Sequence, residues 1–112
     1  MLDEKRDKKE KGVVVEEQRE ERAVLVAVIR DGQEPRQAEE FLDELEFLAE
    51  TASIKTERRF TQRLSQPSSR IYVGPGKLEE IAAYCEENEI NVAIFDDELS
   101  PSQTRNIEHT KI

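Results

Sequence analysis

A continuous apolar run near the start of the chain restricts the possible fold more than any other feature. Residues 23–29 read Ala-Val-Leu-Val-Ala-Val-Ile, rich in β-branched side chains and without alternation of apolar and polar positions. A strand that faces solvent on one side alternates, whereas a strand covered on both faces does not. The run therefore predicts the central strand of a parallel sheet with helices on both faces.

The following residues predict alternating helices and strands. Apolar residues recur at spacings of three and four over residues 36–52, which predicts an amphipathic helix, and a second such helix is predicted from Gly76 or Lys77 to Asn88. Residues 54–64 predict a more exposed strand near a sheet edge, and residues 91–95 a short buried strand. The segment Ile71-Tyr-Val73 is interpreted as a brief strand or an extended approach to the glycines that follow.

A last helix is predicted after Ser100, because Ser100, Pro101 and Gln103 form the pattern of an N-cap, a first-turn proline and a capping box. The order of elements indicates an α/β fold, a small, mostly parallel β-sheet flanked by helices with right-handed crossovers. The chain stops after a helix, where a parallel fold would next place a strand, so we expect the sheet to lack a final strand.

The chain divides into two parts by composition. Residues 1–21 form a charged leader with few apolar side chains, and we expect it to be mobile or loosely helical. Residues 22–112 form one α/β domain of ordinary size. Cys85 is the only cysteine and His109 the only histidine, so the sequence predicts neither an intrachain disulfide nor a zinc site. No apolar stretch approaches the length of a membrane helix, so we expect a soluble, cytoplasmic protein.

The charge of the chain is segregated along its length. The net charge of -9 at pH 7 ordinarily argues against a nucleic-acid partner, yet residues 54–78 hold six basic residues and a single acid, Glu57. Arginine and lysine in such a segment can neutralise phosphates. A charged edge strand that prevents association with other strands is the alternative, and the residues leave the two open. The basic residues are Lys55, Arg58, Arg59, Arg63, Arg70 and Lys77.

Strand alternation limits how these arginines can act together. Within a strand, Arg59 and Arg63 lie on one face and Arg58 lies on the other. The three can share one binding surface only if the strand is an exposed edge.

The segment Gly74-Pro-Gly-Lys77 has the composition of an anion site. Gly74 and Gly76 allow close approach of the backbone to a ligand, a helix start offers unpaired N–H groups, and Lys77 adds a cation. The spacing does not fit a Walker A loop, which has four residues between its glycines and Ser or Thr after Lys. A tight turn that ends a strand and opens a helix is the alternative interpretation.

Three adjacent acids, Asp96, Asp97 and Glu98, follow the last predicted strand. α/β proteins place catalytic or metal-binding acids at the carboxyl ends of strands, and Asp96 and Asp97 are weak candidates for holding a hydrated Mg²⁺. No second acidic cluster or nucleophile accompanies them. An acidic loop that favours the positive end of the following helix is therefore the preferred interpretation.

Several blocks, taken together, resemble the N-terminal domain of the HflX-type GTPases, a ribosome-associated family. The resemblance runs collinearly from Glu21 to Ile112, and its two most specific parts are the glycine block and the acidic block. In the family the glycine block reads Tyr-(Ile/Val)-Gly-x-Gly-Lys and the acidic block Asp-Asp-Glu-Leu-Ser-Pro-x-Gln. The matching segments here are 21–26, 44–45, 48–52, 62–63, 71–80, 94–103 and 105–106.

The resemblance implies a role on the ribosome. It implies a module that contacts the large ribosomal subunit and its rRNA, within a protein whose downstream GTP-binding domain binds GTP and Mg²⁺ and hydrolyses the nucleotide. The family continues through a further strand, a helical linker and that domain, none of which is in this chain. Whether the 112 residues are themselves an enzyme stays open, with no catalytic residues assigned. On this hypothesis the RNA contacts are Arg58, Arg59, Arg63, Arg70 and Lys77, with Tyr72 stacking or packing, and the phosphate-binding loop is Gly74, Gly76 and Lys77.

Two alternatives accompany the ribosome hypothesis. The first is an adenine-nucleotide-binding or weak nucleotidase domain that uses the Gly74–Lys77 loop. The second is a scaffold that positions the downstream GTP-binding domain. An uncovered sheet edge could also pair with a second copy to give an edge-strand dimer.

Overall fold

The computed structural model describes residues 21–110, in which strands and helices alternate. The predicted leader therefore lies outside the described residues except for its last position, Glu21. The elements are β1 (Glu21–Ile29), α1 (Pro35–Thr51), β2 (Ile54–Arg63), α2 (Pro75–Glu87), β3 (Ala93–Phe95) and α3 (Pro101–Glu108).

The three strands form one parallel sheet in the order β2-β1-β3, which confirms the α/β prediction. The apolar run lies in the centre of this sheet, and all residues from Ala23 to Val28 are buried. β2 is an edge strand, as expected. β3 is shorter than predicted. Its residues are only half-buried, because among the described residues no strand pairs with its outer edge.

An irregularity in β2 sets which side chains point to which face of the sheet. Ala23 pairs with Thr56 whereas Val24 pairs with Arg58, so Glu57 is an extra residue on β2. A bulge of this kind shifts the alternation of the strand by one residue. It places Arg58 on the same face as Val24 and the next residue, Arg59, on the opposite face.

Two clusters of buried side chains cover the two faces. The larger one joins alternate residues of β1, including Val24 and Val26, to Phe60 of β2 and to α2 and α3. The smaller one joins Leu25 and Ala27 of β1 to Leu42 of α1. Helices thus pack on both faces, as the non-alternating run predicted.

The apolar pattern of α1 is only partly buried. Ala38, Leu42 and Ala49 are buried, but Phe41 and Leu48, which the spacing places on the same stripe, are 45% and 56% exposed. α1 packs chiefly over β1 and β2, so the side of the helix away from β2 has little to cover it.

The helix starts follow the sequence closely. Each helix has proline in its first turn, and Ser100 and Gln103 form the predicted capping box of α3. Ile71-Tyr-Val73 is not a strand: it forms a turn in which only Tyr72 makes an isolated bridge, and Tyr72 has a positive φ of 69°. Among residues 21–110 no helix has the length and apolar character required to cross a membrane.

Candidate functional site

The loop between β2 and α2, residues 64–74, runs along the carboxyl edge of the sheet. It begins where the Leu64 N–H donates to the Ile29 carbonyl, 3.1 Å away, at the end of the central strand. It ends at Gly74, the N-cap of α2. Ligands of open α/β sheets bind at this edge, which makes the β2–α2 loop a candidate binding site.

Hydrogen bonds within the β2–α2 loop give it a defined shape. The backbones of Ser68 and Tyr72 exchange two hydrogen bonds of 3.0 Å each. The Ser68 hydroxyl also accepts from the N–H groups of Arg70 and Ile71, both at 3.2 Å. The Ser68 side chain therefore orders the tip of the loop, as serine commonly does in turns.

Three amide side chains hold the β2–α2 loop from outside. Gln62 Oε1 accepts from the Gly74 N–H at 2.8 Å. Gln103 Nε2 donates to the Ser68 carbonyl at 2.7 Å, and Asn106 Nδ2 donates to the Arg70 carbonyl at 3.0 Å. Side chains of β2 and α3 thus fix the tip of the loop and its end at Gly74, and a backbone hydrogen bond fixes its start at Leu64.

Sequence reasoning missed this role of Gln103 and Asn106. The capping pattern explained Gln103 locally, and Asn106 entered only as part of the family resemblance. The available signal was the joint presence of the glycine block, the Ser-Pro-x-Gln block and the Arg105-Asn106 pair that follows it. Gln103 and Asn106 supply the amides that bind the loop preceding the glycines.

Tyr72 packs within the protein, one of the two roles expected for it. The side chain is 3% exposed, and its ring meets the ring of Phe95 edge-on with a centroid separation of 5.5 Å. Its hydroxyl donates a long, 3.5 Å hydrogen bond to the Asp96 carbonyl. Burial raises the pKa of this hydroxyl, and the charges of Asp97 and Asp96 add to the effect.

Arg59 lies on the face of β2 that α1 covers. Its guanidinium donates to Glu46 Oε1 at 2.7 Å, to Asp43 Oδ1 at 2.7 Å and to Glu39 Oε1 at 3.1 Å. Burial by itself lowers the Arg59 pKa, but the hydrogen bonds to Glu46 and Asp43 outweigh it and the pKa is raised. Three carboxylates of α1 thus hold this arginine against the helix.

Arg58 and Lys77 lie on the other face and share one carboxylate. Glu80 is 3.5 Å from the Arg58 guanidinium and 3.0 Å from the Lys77 ammonium. Arg58 also lies over the rings of Phe60 and Tyr84, 4.4 and 5.1 Å from their centroids. Glu80 thus brings these two cations close to each other.

Arg63 and Arg70 differ from the other predicted basic contacts in having no acidic partner among the described residues. Both are exposed, one at the end of β2 and the other at the tip of the β2–α2 loop. No carboxylate of residues 21–110 lies within 4 Å of either guanidinium. They therefore present unneutralised positive charge at the carboxyl edge of the sheet.

The two glycines of the helix start differ in their surroundings. Gly74 has an ordinary φ of -70°, but a Cβ on it would lie 3.2 Å from Gln62 Nε2, so the small residue makes room for the amide. A Cβ on Gly76 would meet nothing within 4 Å. Gly74 is thus explained by packing, whereas Gly76 leaves open surface at the start of α2.

The acids after β3 engage basic and backbone groups. Asp97 Oδ2 is 2.8 Å from the Arg30 guanidinium, and Asp97 Oδ1 accepts from the Glu98 N–H. Burial raises the Asp96 pKa, the charge of Asp97 adds to this, and Arg30 opposes it. Within residues 21–110 no group of three or more His, Cys, Asp or Glu side chains is arranged to hold a metal ion.

Comparison with known proteins identifies the family. Residues 39–111 match the model of the GTP-binding GTPase N-terminal family. The chain is 42% identical over 87 residues to the GTPase HflX of Flavobacterium psychrophilum, which covers 78% of the chain and 21% of that protein. It is 38% identical over 90 residues to the GTPase HflX of Alkalihalophilus pseudofirmus, covering 80% of the chain and 21% of the relative.

The matched region is also present in a more distant relative. The GTPase HflX of Escherichia coli strain K12 is 36% identical over 69 residues, covering 62% of the chain and 16% of that protein. The chain spans about a fifth of the length of the first two relatives. The chain therefore belongs to the GTP-binding GTPase N-terminal family and corresponds to the N-terminal domain of HflX-type GTP-binding proteins.

Proposed function

We propose that this domain contacts rRNA of the large ribosomal subunit through the β2–α2 loop and the end of β2. The observation that carries the proposal is the ordered β2–α2 loop, held by hydrogen bonds from Gln62, Gln103 and Asn106. It presents Arg70 at its tip, and Arg63 ends the strand that leads into it. A loop that is already ordered loses less conformational entropy on binding than a mobile one. The ribosome as the specific partner comes from the family resemblance.

The predicted contacts divide into two groups in this proposal. Arg63 and Arg70 are the primary phosphate contacts, because no described carboxylate neutralises them. Arg58 and Lys77 join when an RNA phosphate takes the place of Glu80. Arg59 could contact an RNA phosphate only by giving up its contacts with three carboxylates. Tyr72 is buried and supports the loop by packing beneath it.

The proposal is tested by cosedimentation of the 112-residue chain with purified large subunits over a range of salt concentrations. Arg70→Glu should weaken binding by about tenfold or more and reduce the slope of log K against log salt by about one. The matched control is Lys55→Glu, an exposed residue of the same basic segment at the opposite end of β2. It makes the same charge change away from the loop.

Two results would contradict the proposal. Equal losses for Arg70→Glu and Lys55→Glu would mean that the subunits respond to net charge and not to the loop. Unchanged binding by the double variant Arg63→Glu/Arg70→Glu would show that the chain binds the subunit through a different surface.

GTP hydrolysis is not assigned to this chain. The sequence contains no Walker A spacing, and the lysine of its glycine block pairs with Glu80. These residues do not fit GTP and Mg²⁺. For the longer protein we propose that both bind in a downstream GTP-binding domain, with this domain in the cytoplasm beside it.

A second candidate function is binding of an adenine nucleotide at the start of α2. The favouring observation is that α2 has no capping side chain and that Gly76 is open to solvent. Unpaired N–H groups at a helix start attract phosphate. Calorimetry with ATP and GTP, each with Mg²⁺, tests this, and absence of heat at millimolar nucleotide would eliminate it.

The third candidate role is a scaffold for the downstream GTP-binding domain. The favouring observation is the outer edge of β3, with which no strand of residues 21–110 pairs. It lies beside a cleft of 260 Å³ lined by Val92, Ala93, Leu99 and Ile107. Protection of this edge from hydrogen exchange in the longer protein would support the role. The same edge could pair two copies of the isolated chain, which sedimentation equilibrium would detect as a dimer.

A further inference from the structure

The β2–α2 loop contains one aromatic residue, Tyr72, and that residue is buried. Its ring packs inside the protein, where the Phe95 ring meets it edge-on. Proteins that bind unpaired RNA bases stack them on exposed aromatic rings. Tyr72 therefore offers no stacking platform at the surface of the loop.

The other phenylalanine and tyrosine rings are covered or lie elsewhere. The chain has four phenylalanines, two tyrosines and no tryptophan, and all six rings belong to residues 21–110. Phe60 is buried, and the Arg58 guanidinium lies over both its ring and that of Tyr84. Phe41 and Phe47 are exposed, but they belong to α1, which packs on the opposite face of the sheet from α2 and α3.

The exposed rings of α1 also stand among negative charges. The one basic residue of this helix is Arg36, whereas its acids are Glu39, Glu40, Asp43, Glu44, Glu46 and Glu50. Such a surface repels the phosphates of RNA. Phe41 and Phe47 are therefore unsuitable for stacking on the bases of a bound RNA.

The amide side chains around the β2–α2 loop are occupied by the loop itself. Gln62, Gln103 and Asn106 each form a hydrogen bond with one of its backbone groups. Asparagine and glutamine amides are common readers of base edges in nucleic acids. Because these three hold the loop in place, using them to read a base would cost the loop its support.

The side chains that remain exposed suit a sugar–phosphate backbone. Arg63 and Arg70 have no carboxylate within 4 Å among residues 21–110, and guanidinium groups bind phosphate oxygens. Ser65, Gln66 and Ser69 are exposed on the same loop. Their hydroxyl and amide groups can form hydrogen bonds with ribose 2′-hydroxyls, which distinguish RNA from DNA.

We propose that the β2–α2 loop and the end of β2 bind the backbone of double-helical RNA, through its phosphates and 2′-hydroxyls, and not unpaired bases. The assignment rests on the proposed function and specifies the class of RNA. An A-form helix displays phosphates and 2′-hydroxyls across its wide minor groove, and proteins recognise it by shape more than by sequence. A loop held by hydrogen bonds to β2 and α3 suits such a regular ligand, because little ordering is required on binding.

His109 provides a matched comparison for Arg70. It is exposed and lies one turn after Asn106, which binds the Arg70 carbonyl. Imidazole is one of the rings that stack on unpaired bases. The proposal gives His109 no role, whereas recognition of an unpaired base would make it the nearest exposed ring on α3.

The first test measures fluorescence anisotropy of labelled RNA with the 112-residue chain. The probes are an RNA duplex of about 20 base pairs, longer than the roughly 16 that double-stranded RNA-binding domains span, its two separate strands and a DNA duplex of the same sequence. We expect the RNA duplex to bind about tenfold more tightly than the other three, the equivalent of one or two hydrogen bonds. A second RNA duplex of unrelated sequence should bind equally well.

Three results of this measurement would overturn the inference. Single strands that bind as tightly as the duplex would mean that unpaired bases are recognised. A DNA duplex that binds as tightly as the RNA duplex would mean that the 2′-hydroxyls are not contacted. Failure of every probe to bind would mean that the loop does not recognise an RNA helix by itself.

The second test compares two variants with the RNA duplex. Arg70→Glu should weaken binding by about tenfold or more, because a phosphate contact is lost and a negative charge is added. His109→Ala should leave binding unchanged. A loss for His109→Ala as large as that for Arg70→Glu would overturn the inference in favour of stacking.

The third test is footprinting on the large ribosomal subunit. Hydroxyl radicals cleave the ribose backbone, whereas dimethyl sulfate modifies unpaired bases. The bound chain should protect the backbone of paired rRNA segments from cleavage and leave dimethyl sulfate modification unchanged. Protection of unpaired bases alone would overturn this inference and leave the proposed function intact, whereas failure of the chain to cosediment with the subunit would contradict the proposed function itself.

Discussion

The side-chain amide nitrogen of Gln103 lies 2.7 Å from the carbonyl oxygen of Ser68, 35 residues earlier in the chain. The oxygen of the same amide accepts from the Ser100 N–H at 2.8 Å. One side chain therefore closes the capping box of α3 with one atom and fixes the β2–α2 loop with the other. The helix start and the loop are ordered together.

This double role predicts that Gln103→Glu separates the two functions. The glutamate still accepts from Ser100, but it has no proton to donate and faces the Ser68 carbonyl with a negative charge. We expect a loss of about 1–2 kcal/mol in the free energy of unfolding and faster hydrogen exchange at residues 68–72. Chemical denaturation and exchange measure the two effects.

The control for this variant is Ser100→Ala, which removes the cap and leaves the Gln103 amide free to bind Ser68. It should cost about 1 kcal/mol without selective exchange in the loop. Loop exchange that rises equally in both variants would show that Gln103 acts only through α3.

Arg59 is predicted to stabilise the packing of α1 on the sheet. Arg59→Met keeps most of the side-chain volume but leaves Glu39, Asp43 and Glu46 without their cation. The cluster is partly exposed, so we expect a loss of about 1–2 kcal/mol, smaller at high salt. Arg63→Met, on the same face but without a described carboxylate partner, should change stability by less than half as much. Urea denaturation at two salt concentrations distinguishes them.

Tyr72 is predicted to stabilise through its ring more than through its hydroxyl. Tyr72→Ala empties a buried site and should cost about 3–5 kcal/mol. Tyr72→Phe removes only a long hydrogen bond and should cost about 1 kcal/mol or less. If thermal unfolding shows equal losses, the hydroxyl is the more important contact and the packing argument is wrong.

Asp96 is predicted to weaken the fold at neutral pH. Its pKa in the folded protein is raised above the unfolded value, so folding favours the protonated form, and stability is lost as pH rises through this interval. Asp96→Asn should therefore raise the melting temperature at pH 7 and make little difference below the unfolded pKa of about 4. Asp31→Asn, an exposed residue of the β1–α1 turn, is the control. An equal gain from both variants at pH 7 would mean that only net charge matters.

Cys85 is predicted to be unreactive in the folded protein. The side chain is 1% exposed, and burial raises the pKa of its thiol, so little thiolate is present or accessible. Labelling with a thiol reagent at pH 8 should be slow in buffer and fast in 6 M urea. Rapid labelling without denaturant would contradict the packing of α2.

The sequence was sufficient for the features that depend on neighbouring residues. The non-alternating run identified the central strand, and the Ser-Pro-x-Gln pattern identified the start of α3, because both signals lie within a few residues. The sequence was insufficient for contacts between residues that are far apart in the chain. Nothing local shows that Gln103 binds Ser68, or that Phe41 and Leu48 lack the cover that Leu42 receives. Periodicity defines an apolar stripe, but only the position of the helix over the sheet decides which part of it is buried.

The extra residue at Glu57 has a wider consequence for how β2 tolerates change in length. Beyond it, Phe60 meets the core beneath α2 and Arg59 meets the acids of α1; before it, Thr56 shares the α1 face with Ala23. Removing Glu57 would leave Thr56 and Arg58 adjacent and still on opposite faces, so both halves of β2 would keep their faces in a regular strand. A deletion further along β2 would instead force one half of the strand to exchange its two faces, so the bulge is the point at which β2 tolerates the loss of a residue.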